Sequence, residues 1–426
     1  MIFLLSVNSF AQDAVSLRQA MELSLKNNYD LRIVRNNVKA SALLDAPGVA
    51  GALPTATAGA RDRESVTDID QRFSNGTTIS RNDVSSNAFN GDLTVSYTLF
   101  NGFRVQAERD RLSALLKEGE AGLVAQIQNT CADVTFRYFD VVRQSTFRKA
   151  LENSRALSEK KLEIVDARTK AGLSNATDLY QARIDLNTSE QQLAEQDFLI
   201  RQARIELDRV LALSPDTVFA LADTIVIDRS IDRDTVMRFI DSHPDLVAAA
   251  ARTEMDQQSL RIIRSQRLPS LVLDGAYGYS RTENAAGFSL LNSFSGPSVG
   301  ATLRIPLYNG NTIRIQEKVA MLQVDNARIA EERTRQTLIA QAVRSYEAYR
   351  TALAQLDNQE ESFRMAGEVT SIQLIRFSQG LSTILDLRRA QADYEQTAAS
   401  LVNARFVAKI AETELLRLMC RLGQQQ

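Results

Sequence analysis

Residues 172–179 read GLSNATDL and residues 380–387 read GLSTILDL, and five of the eight positions are identical. Each copy interrupts a long run of helix-forming residues with a Gly, which costs about 1 kcal/mol in a helix interior relative to Ala. Because the same break occurs twice, 208 residues apart, it indicates two equivalent helical hairpins within one chain.

Other paired segments occur in the same order and predict an internal duplication. Pro54 and Pro269 are 215 residues apart, as are Asp30 and Asp245 in YDLRIV and PDLVAA, whereas LFNG at 99–102 and LYNG at 307–310 are 208 apart. The two halves therefore differ by seven residues between Pro54 and Asn101. We expect these extra residues in an exposed polar loop, DQRFSNGTTISRNDVSSN.

Both halves contain the same series of predicted elements: a helix, two strands, a very long helix, the GLS break and a second long helix. We assign residues 12–212 to the first repeat, 213–230 to a linker, 231–421 to the second repeat and 422–426 to a tail. The first helices are predicted at 16–46 and 231–265, the strand pairs at 54–101 and 269–309, and the helical hairpins at 103–212 and 312–421.

The strand prediction depends on alternation with a period of two. In DLTVSYTLF, Leu93, Val95 and Tyr97 are apolar and the residues between them are polar, and VGATLRIPL at 299–307 follows the same pattern. Such strands either cover a soluble sheet packed on helices or cross a membrane, for which about 9–11 residues suffice. A sheet in lipid must close, and four strands are too few because bacterial barrels begin at about eight. The membrane alternative therefore requires several chains.

The helical stretch 103–170 has apolar residues at heptad-like spacing. At 1.5 Å per residue it would extend roughly 100 Å, more than any globular core. It must therefore pack along another helix, and the segments that follow the breaks, 176–212 and 384–421, are the expected partners.

Composition excludes several classes of function. The chain has 50 Lys and Arg against 52 Asp and Glu, so it lacks the basic character expected of a nucleic-acid-binding protein. Cys131 and Cys420 lack metal-ligand spacing and are expected to be small buried residues, and the single His243 has no catalytic partners in a recognisable motif. We expect no enzyme activity, no cofactor and no metal.

The N-terminus resembles the end of a secretory signal peptide. Ile2–Val7 is apolar, and Ser9 and Ala11 are small residues suited to cleavage after Ala11, although no positive charge precedes them. We interpret residues 1–11 as a truncated signal peptide, consistent with a start codon placed too late. No other stretch approaches the roughly 18 apolar residues of a membrane helix.

The ordered set of motifs is similar to the TolC-type outer-membrane efflux proteins. The resemblance covers about residues 13–421 and rests on the duplicated order of elements, on LFNG and LYNG, and on the two GLSxxxDL breaks. It implies a homotrimer with a shared twelve-stranded barrel among outer-membrane lipids of a Gram-negative bacterium and an α-helical tunnel in the periplasm. The protein would be the exit duct of a tripartite efflux or type I secretion system, joined to an inner-membrane pump by a periplasmic adaptor.

Each GLS motif has a sufficient local explanation as a hairpin turn. Gly172 and Gly380 suit a left-handed residue at a helix C-terminus. Ser174 or Asn175 in one turn, and Ser382 or Thr383 in the other, can cap the next helix. Asp178 and Asp386 fall in the first turn of that helix, where negative charge is favourable.

The resemblance adds functional roles to these positions. It implies contacts with the adaptor at the periplasmic tip for Gly172, Leu173, Ser174, Gly380, Leu381 and Ser382. It places Asp178, Phe377, Asp386 and Arg389 at the entrance constriction.

The sequence departs from the best-known family pattern at three entrance positions. Arg389 replaces an acidic residue, Phe377 a Tyr, and Ser382 a basic residue. We therefore expect a weakly cation-selective or unselective pore. Asp386 and Arg389 could also form an ordinary i, i+3 ion pair.

Two other classes of protein are also compatible with long helical hairpins. A periplasmic coiled-coil adaptor or scaffold without a pore would also contain long hairpins, but a single one and no duplicated strand pairs. A soluble helical binding protein with a minor sheet would lack membrane association. Partition with the outer membrane distinguishes both from a channel.

Overall fold

The computed structural model describes residues 14–215, 219–287 and 289–423. The predicted signal peptide, 1–11, and residues 424–426 of the predicted tail lie outside the described residues. The helices are α1 (Leu17–Asn27), α2 (Tyr29–Leu44), α3 (Arg104–Lys170), α4 (Ala176–Leu211), α5 (Arg233–Arg238), α6 (Pro244–Ser265), α7 (Thr312–Ser378) and α8 (Ile384–Leu418). The strands are β1 (Thr55–Arg72), β2 (Thr78–Asn101), β3 (Ser270–Asn284) and β4 (Leu291–Arg304).

The long helices confirm the duplicated, mainly helical fold. Helices α3 and α7 each contain 67 residues and end immediately before the GLS motifs. Both begin after two consecutive left-handed residues, Gly102 and Phe103 in the first repeat and Gly310 and Asn311 in the second. The repeated NG sequence thus corresponds to a repeated backbone conformation.

The two predicted first helices are each divided in the structure. Asn28 leaves the helical conformation at φ −55° and ψ 128°, and its side chain accepts a hydrogen bond from the backbone N–H of Leu31, so that α2 starts anew. In the second repeat, His243 is extended because the residue before a proline avoids helical geometry. The buried His243 Nδ1 accepts from the N–H of Asp245 at 3.2 Å, which is a capping role at the start of α6.

The four strands form one antiparallel sheet in the order β1-β2-β3-β4. Thr55 pairs with Ser96 in the first hairpin, and Ser270 pairs with Arg304 in the second. These partners are related by the same offsets of 215 and 208 residues that relate the sequence motifs. The duplication therefore extends to the hydrogen-bond register.

The seven extra residues do not form a polar loop, contrary to the prediction. Most of the segment 70–87 is extended, and only 73–77 form the turn. The extra residues lengthen β1 and β2 at their turn end, with an irregularity between Thr67 and Ile69 opposite Asp83 at φ 56°. Backbone pairing continues there without apolar alternation, because the ladder bonds join main-chain N–H and C=O groups and do not depend on the type of side chain.

The second strand pair also ends earlier than predicted. β4 stops at Arg304, and residues 305–309 have no regular structure although their side chains continue to alternate. Pro306 lacks the backbone N–H that a ladder requires, which accounts for the end of the strand.

One face of the sheet is apolar and exposed. Leu93 pairs with Tyr277 and Tyr97 with Leu273 on this face, and all four side chains remain exposed. On the other face the Ser96 hydroxyl donates to Asp274 at 2.6 Å. The polar and apolar faces thus agree across neighbouring strands, as the alternation predicts.

The chain divides into two units by its contacts. The second unit, Val38–Gly119 with Ala249–Glu331, contains the sheet; the first comprises the residues up to Asn37, Glu120–Ala248 and the residues from Glu332.

The core of the first unit includes Cys131, in which burial raises the thiol pKa to about 11 and keeps it protonated. Cys420 is only half-buried, and both cysteines are free.

Candidate functional site at the hairpin turns

The first hairpin turn closes α3 with a left-handed glycine. Gly172 has φ 77°, and the N–H groups of Gly172 and Leu173 donate to the carbonyls of Thr169 and Arg168 at 3.0 and 2.8 Å. This pair of bonds is a Schellman motif, which satisfies carbonyls that the helix end would otherwise leave without a partner.

The second turn repeats this arrangement. Gly380 has φ 81°, and the N–H groups of Gly380 and Leu381 donate to Phe377 and Arg376 at 3.1 and 2.8 Å. Any side chain at either glycine would be strained in this left-handed conformation. Both breaks are therefore helix ends of one type, as the sequence predicts.

The helices that follow are capped by Asn175 and Thr383, which decides between the alternatives left open by the sequence. Asn175 Oδ1 accepts from the N–H of Asp178 at 2.8 Å. Thr383 Oγ1 accepts from the N–H of Asp386 at 3.2 Å, and the Asp386 carboxylate accepts from the Thr383 N–H at 3.0 Å. This capping box lowers the pKa of Asp386, chiefly through the Thr383 N–H, so the group is ionised at neutral pH.

The two serines of the motifs have other partners. Ser174 Oγ donates to Asp178 Oδ2 at 2.9 Å, and Ser382 Oγ donates to the carbonyl of Gln373 at 3.5 Å. Both bonds stay within a single hairpin. The serines therefore stabilise the turns that carry them.

The turns expose apolar side chains. Leu173 is 79% exposed and Leu381 is 64% exposed, and the helices that follow them expose Tyr180 and Leu385 as well. Because both turns have the same Schellman geometry, the chain presents two similar apolar projections.

Phe377 lies inside the protein. It is 3% exposed and belongs to a buried cluster with Val165, Ala182 and Leu387. Arg168 of the first hairpin donates to the carbonyl of Phe377 at 2.6 Å, and its guanidinium lies 5.0 Å from the centre of the Phe377 ring. Phe377 therefore joins the two hairpins by packing and a backbone hydrogen bond, without the hydroxyl of a Tyr.

Arg389 is exposed, and the ion pair with Asp386 that the i, i+3 spacing allows is not formed among the described residues. The Asp386 carboxylate is instead directed back to Thr383 by the capping box. The neighbouring Arg388 reaches Asp185 at 3.6 Å. The ion-pair alternative for Asp386 and Arg389 is wrong because the cap engages the carboxylate first.

A buried polar cluster near the turns was not found from the sequence. Lys161 is fully buried, and its Nζ donates to Asp185 Oδ2 at 2.6 Å and to Gln391 Oε1 at 3.2 Å. The Gln391 amide donates in turn to Ser154 Oγ and Ser158 Oγ at 2.7 and 2.8 Å. These contacts join α3 and α4 to α8.

One signal could have indicated this cluster. Lys161 stands four residues from both Leu157 and Val165, within an apolar row of α3, where a charged side chain is buried only if it is paired. The row identifies Lys161 but not its partners on α4 and α8.

Neither a cluster of metal-ligating side chains nor a helix of membrane-spanning character is found among the described residues. No group of three or more His, Cys, Asp or Glu in 14–215, 219–287 and 289–423 is arranged to hold a metal ion. Within the same ranges, no helix has both the length and the apolar character required to cross a bilayer.

Comparison with known families identifies a relationship over nearly the whole chain. The family model described as "Outer membrane efflux protein" matches residues 20–213 and 237–421. Its two matched segments correspond to the two repeats of helices and strands.

Individual relatives agree with this match. The chain is 24% identical to protein CyaE of Bordetella pertussis over 339 residues, which cover 78% of this chain and 70% of CyaE. It is 25% identical to outer membrane protein OprJ of Pseudomonas aeruginosa over 423 residues, or 96% of this chain and 85% of OprJ. The crystal structure of the outer membrane protein VceC from Vibrio cholerae superposes with a TM-score of 0.76 at 19% identity, covering 95% of each chain.

Proposed function

This chain belongs to the outer membrane efflux protein family, a family of outer-membrane channels, and on that premise we propose that three copies form the exit duct of a tripartite efflux or type I secretion system. The observation that carries the proposal is the four-stranded sheet with an exposed apolar face and two open edges, β1 and β4. Open edges are incompatible with hydrocarbon. Three sheets joined edge to edge would give a closed barrel of twelve strands.

The hairpin turns are the proposed contact with a periplasmic adaptor, which would connect the channel to an inner-membrane pump. Leu173 and Leu381 are exposed on hydrogen-bonded turns of the same type, and exposed apolar side chains suit a protein interface. Gly172 and Gly380 allow the turns, and Ser174 and Ser382 stabilise them. The scaffold alternative without a pore is not favoured, because the whole duplicated chain matches a family of channels.

The entrance is proposed at the same turns. Asp178 and Asp386 supply one carboxylate from each hairpin, and Asp386 is ionised, so three chains would present acidic rings that favour cations. The exposed Arg389 lies one turn beyond Asp386 and would offset this charge. Phe377 would hold the hairpins together through Arg168. We therefore propose a weakly cation-selective or unselective pore.

We also propose structural repeats at 12–212 and 231–421, a linker at 213–230 and removal of residues 1–11 as a signal peptide. We propose that the protein has no catalytic activity and acts as a passive duct.

Membrane fractionation and planar-bilayer recording test the channel. The full-length protein should sediment with the outer membrane, elute in detergent at the mass of a trimer, and conduct ions. Its reversal potential should be close to zero or indicate slight cation selectivity. Recovery as a soluble monomer would refute the channel, whereas clear anion selectivity would refute only the assignment of the entrance.

Adaptor contact is tested by co-purification. Leu173→Asp combined with Leu381→Asp should reduce recovery of the adaptor and pump while leaving the trimer intact. Val226→Asp is a matched control, because Val226 is also exposed, at 71%, but lies in the linker. Equal recovery with both variants would place the contact elsewhere.

A further inference from the structure

The second unit contains a cavity of about 510 Å³ at the transition from the sheet to the helices. Its walls come from the start of α3, the end of α6 and the beginning of α7. Phe103, Ala107 and Leu268 form an apolar part, and Arg261, Arg264 and Arg267 form a basic part. Neither the hairpin turns nor the entrance uses these residues.

The basic part is organised by one carboxylate. Arg264 Nε donates to Glu317 Oε1 at 2.9 Å, and Arg267 donates to the other oxygen of Glu317, whose side chain is only 11% exposed. Each guanidinium has five N–H donors, so most donors of both arginines remain available.

The third arginine is less constrained. Arg261 lies 4.0 Å from Asp110 and bonds Gln258 at 3.2 Å. The cavity lining contains three guanidinium groups and two carboxylates, those of Glu317 and Asp110. The cavity therefore keeps a net positive charge together with free donors.

The apolar part is continuous with the apolar face of the sheet. Phe100 pairs with Leu271 at the end of β2, and its ring meets that of Phe103 edge-on at 5.3 Å between centres. Phe103 is exposed and lines the cavity. An apolar surface thus leads from the sheet directly to the arginines.

The backbone at Phe103 is a second sign of a specialised site. Phe103 has φ 66°, a conformation that disfavours bulky side chains, whereas the second repeat has Asn311 at the equivalent position, with φ 63°. Asn tolerates this conformation better. Gly102 is also closely packed, since a Cβ there would lie 2.5 Å from the carbonyl of Ser265, while Gly310 has open space around it. Among the described residues, the first repeat thus combines an aromatic side chain at this position with close packing against the end of α6.

We propose that this cavity binds the phosphate of a membrane phospholipid, with Arg261, Arg264 and Arg267 donating to the phosphate and Phe103 and Leu268 contacting the first part of an acyl chain. Arginine binds phosphate through paired donors. The adjoining apolar face would contact a hydrocarbon tail, which favours a lipid over a free phosphate. The inference rests on the proposed function, in which the apolar face of the sheet contacts lipid.

Binding of defined lipids to the detergent-solubilised oligomer tests the inference. Native mass spectrometry and thermal denaturation would be measured with dioleoyl phosphatidylglycerol and separately with inorganic phosphate. The wild type should retain the lipid and gain thermal stability with it. Arg261→Gln combined with Arg267→Gln should weaken lipid binding by about 30-fold, since each basic residue near an anionic lipid contributes about 1 kcal/mol and about 1.4 kcal/mol corresponds to a tenfold change in affinity.

Two variants serve as controls. Arg252→Gln removes an exposed arginine of the same helix that lies 3.7 Å from Glu118 and outside the cavity, and it should bind lipid as the wild type does. Arg261→Gln alone leaves both bonds to Glu317 intact, so it replaces the double variant if that one fails to assemble.

The inference would be overturned if the Arg261→Gln and Arg267→Gln double variant, or Arg261→Gln where it replaces the double variant, bound lipid as well as Arg252→Gln does. An equal gain in thermal stability with inorganic phosphate at the same concentration as the lipid would also overturn the inference, since the site would then be a general anion site. Outer-membrane sedimentation and conductance are measured on the same variants. If they persist while lipid binding fails, the lipid site is wrong and the channel proposal stands.

Discussion

Replacement of Lys161 by Met should loosen the hairpins close to their turns. The substitution preserves the length and apolar stem of the side chain but removes the charge that faces Asp185 at 2.6 Å. Asp185 is 9% exposed, so its carboxylate would remain buried without its main partner. Breaking a buried ion pair in this way costs about 3–5 kcal/mol.

The remaining contacts of Asp185 place the expected cost at the lower end of that range. Gln181 still donates to its Oδ1 at 2.9 Å, and Arg388 lies 3.6 Å away. Gln391 loses one of its partners, but its amide keeps the bonds to Ser154 and Ser158. We expect a loss of about 3 kcal/mol in local stability, or about a 150-fold change in the opening equilibrium.

Hydrogen exchange measured by mass spectrometry on the intact oligomer reports this local opening. Peptides covering 154–170 and 176–195 should lose protection by roughly two orders of magnitude, whereas peptides from the sheet should not change. Arg155→Ala is the matched control on α3, because Arg155 pairs with Glu159 and Glu190 near the surface, at 2.7 and 3.5 Å, and such pairs contribute about 0–1 kcal/mol.

A double variant separates the ion pair from simple packing. Lys161→Met with Asp185→Leu removes both charges, and because buried pairs replaced by apolar residues are often neutral in stability, it should recover most of the protection. Protection in Lys161→Met within about threefold of the wild type, or no recovery in the double variant, would refute the reasoning.

Burial raises the pKa of Asp208 to about 6, and its Oδ1 has no hydrogen-bond partner among the described residues. The stability that its protonated form contributes is present below about pH 4 and is lost as the pH rises through 6. Asp208→Asn should therefore raise the melting temperature at pH 8 and leave it nearly unchanged at pH 4, and equal shifts at both pH values would contradict the assignment. Gly102→Ala should destabilise the protein more than Gly310→Ala, since both positions have positive φ but only the first Cβ would meet backbone at 2.5 Å, and comparable melting temperatures would show that the close approach has no consequence. Thr383→Ala removes the cap of α8 and should cost about 1 kcal/mol, seen as faster exchange in 384–390, while unchanged exchange would mean that packing alone holds that helix end.

Periodicity and local chemistry made much of the fold predictable. The breaks at Gly172 and Gly380, the bounds of α3 and α7, and the alternating part of β2 each follow from neighbouring residues, because helix ends and strand faces depend on backbone conformation and on the spacing of side chains. Asp178 and Asp386 were likewise placed correctly in the first turns of their helices.

Predictions failed where a hydrogen-bonded partner outweighed the local pattern. The polar segment 70–87 resembles a loop in composition, yet it is mostly strand because each half supplies the other with backbone partners. The pairing of β2 with β3, which joins the two repeats in one sheet, is also absent from any local signal.

The sequence by itself determined the duplicated order of elements, the position of both turns and the family to which the chain is similar, since these depend on spacing and on residues such as Gly that allow particular conformations. Only the tertiary structure decided that Phe377 is a core residue, that Asp386 bonds Thr383 rather than Arg389, and that Lys161 meets Asp185 and Gln391. The physical reason is distance: Lys161 and Gln391 are separated by 230 residues. A charge in an apolar row reveals that a partner is needed, but the packing of three helices determines which residue it is.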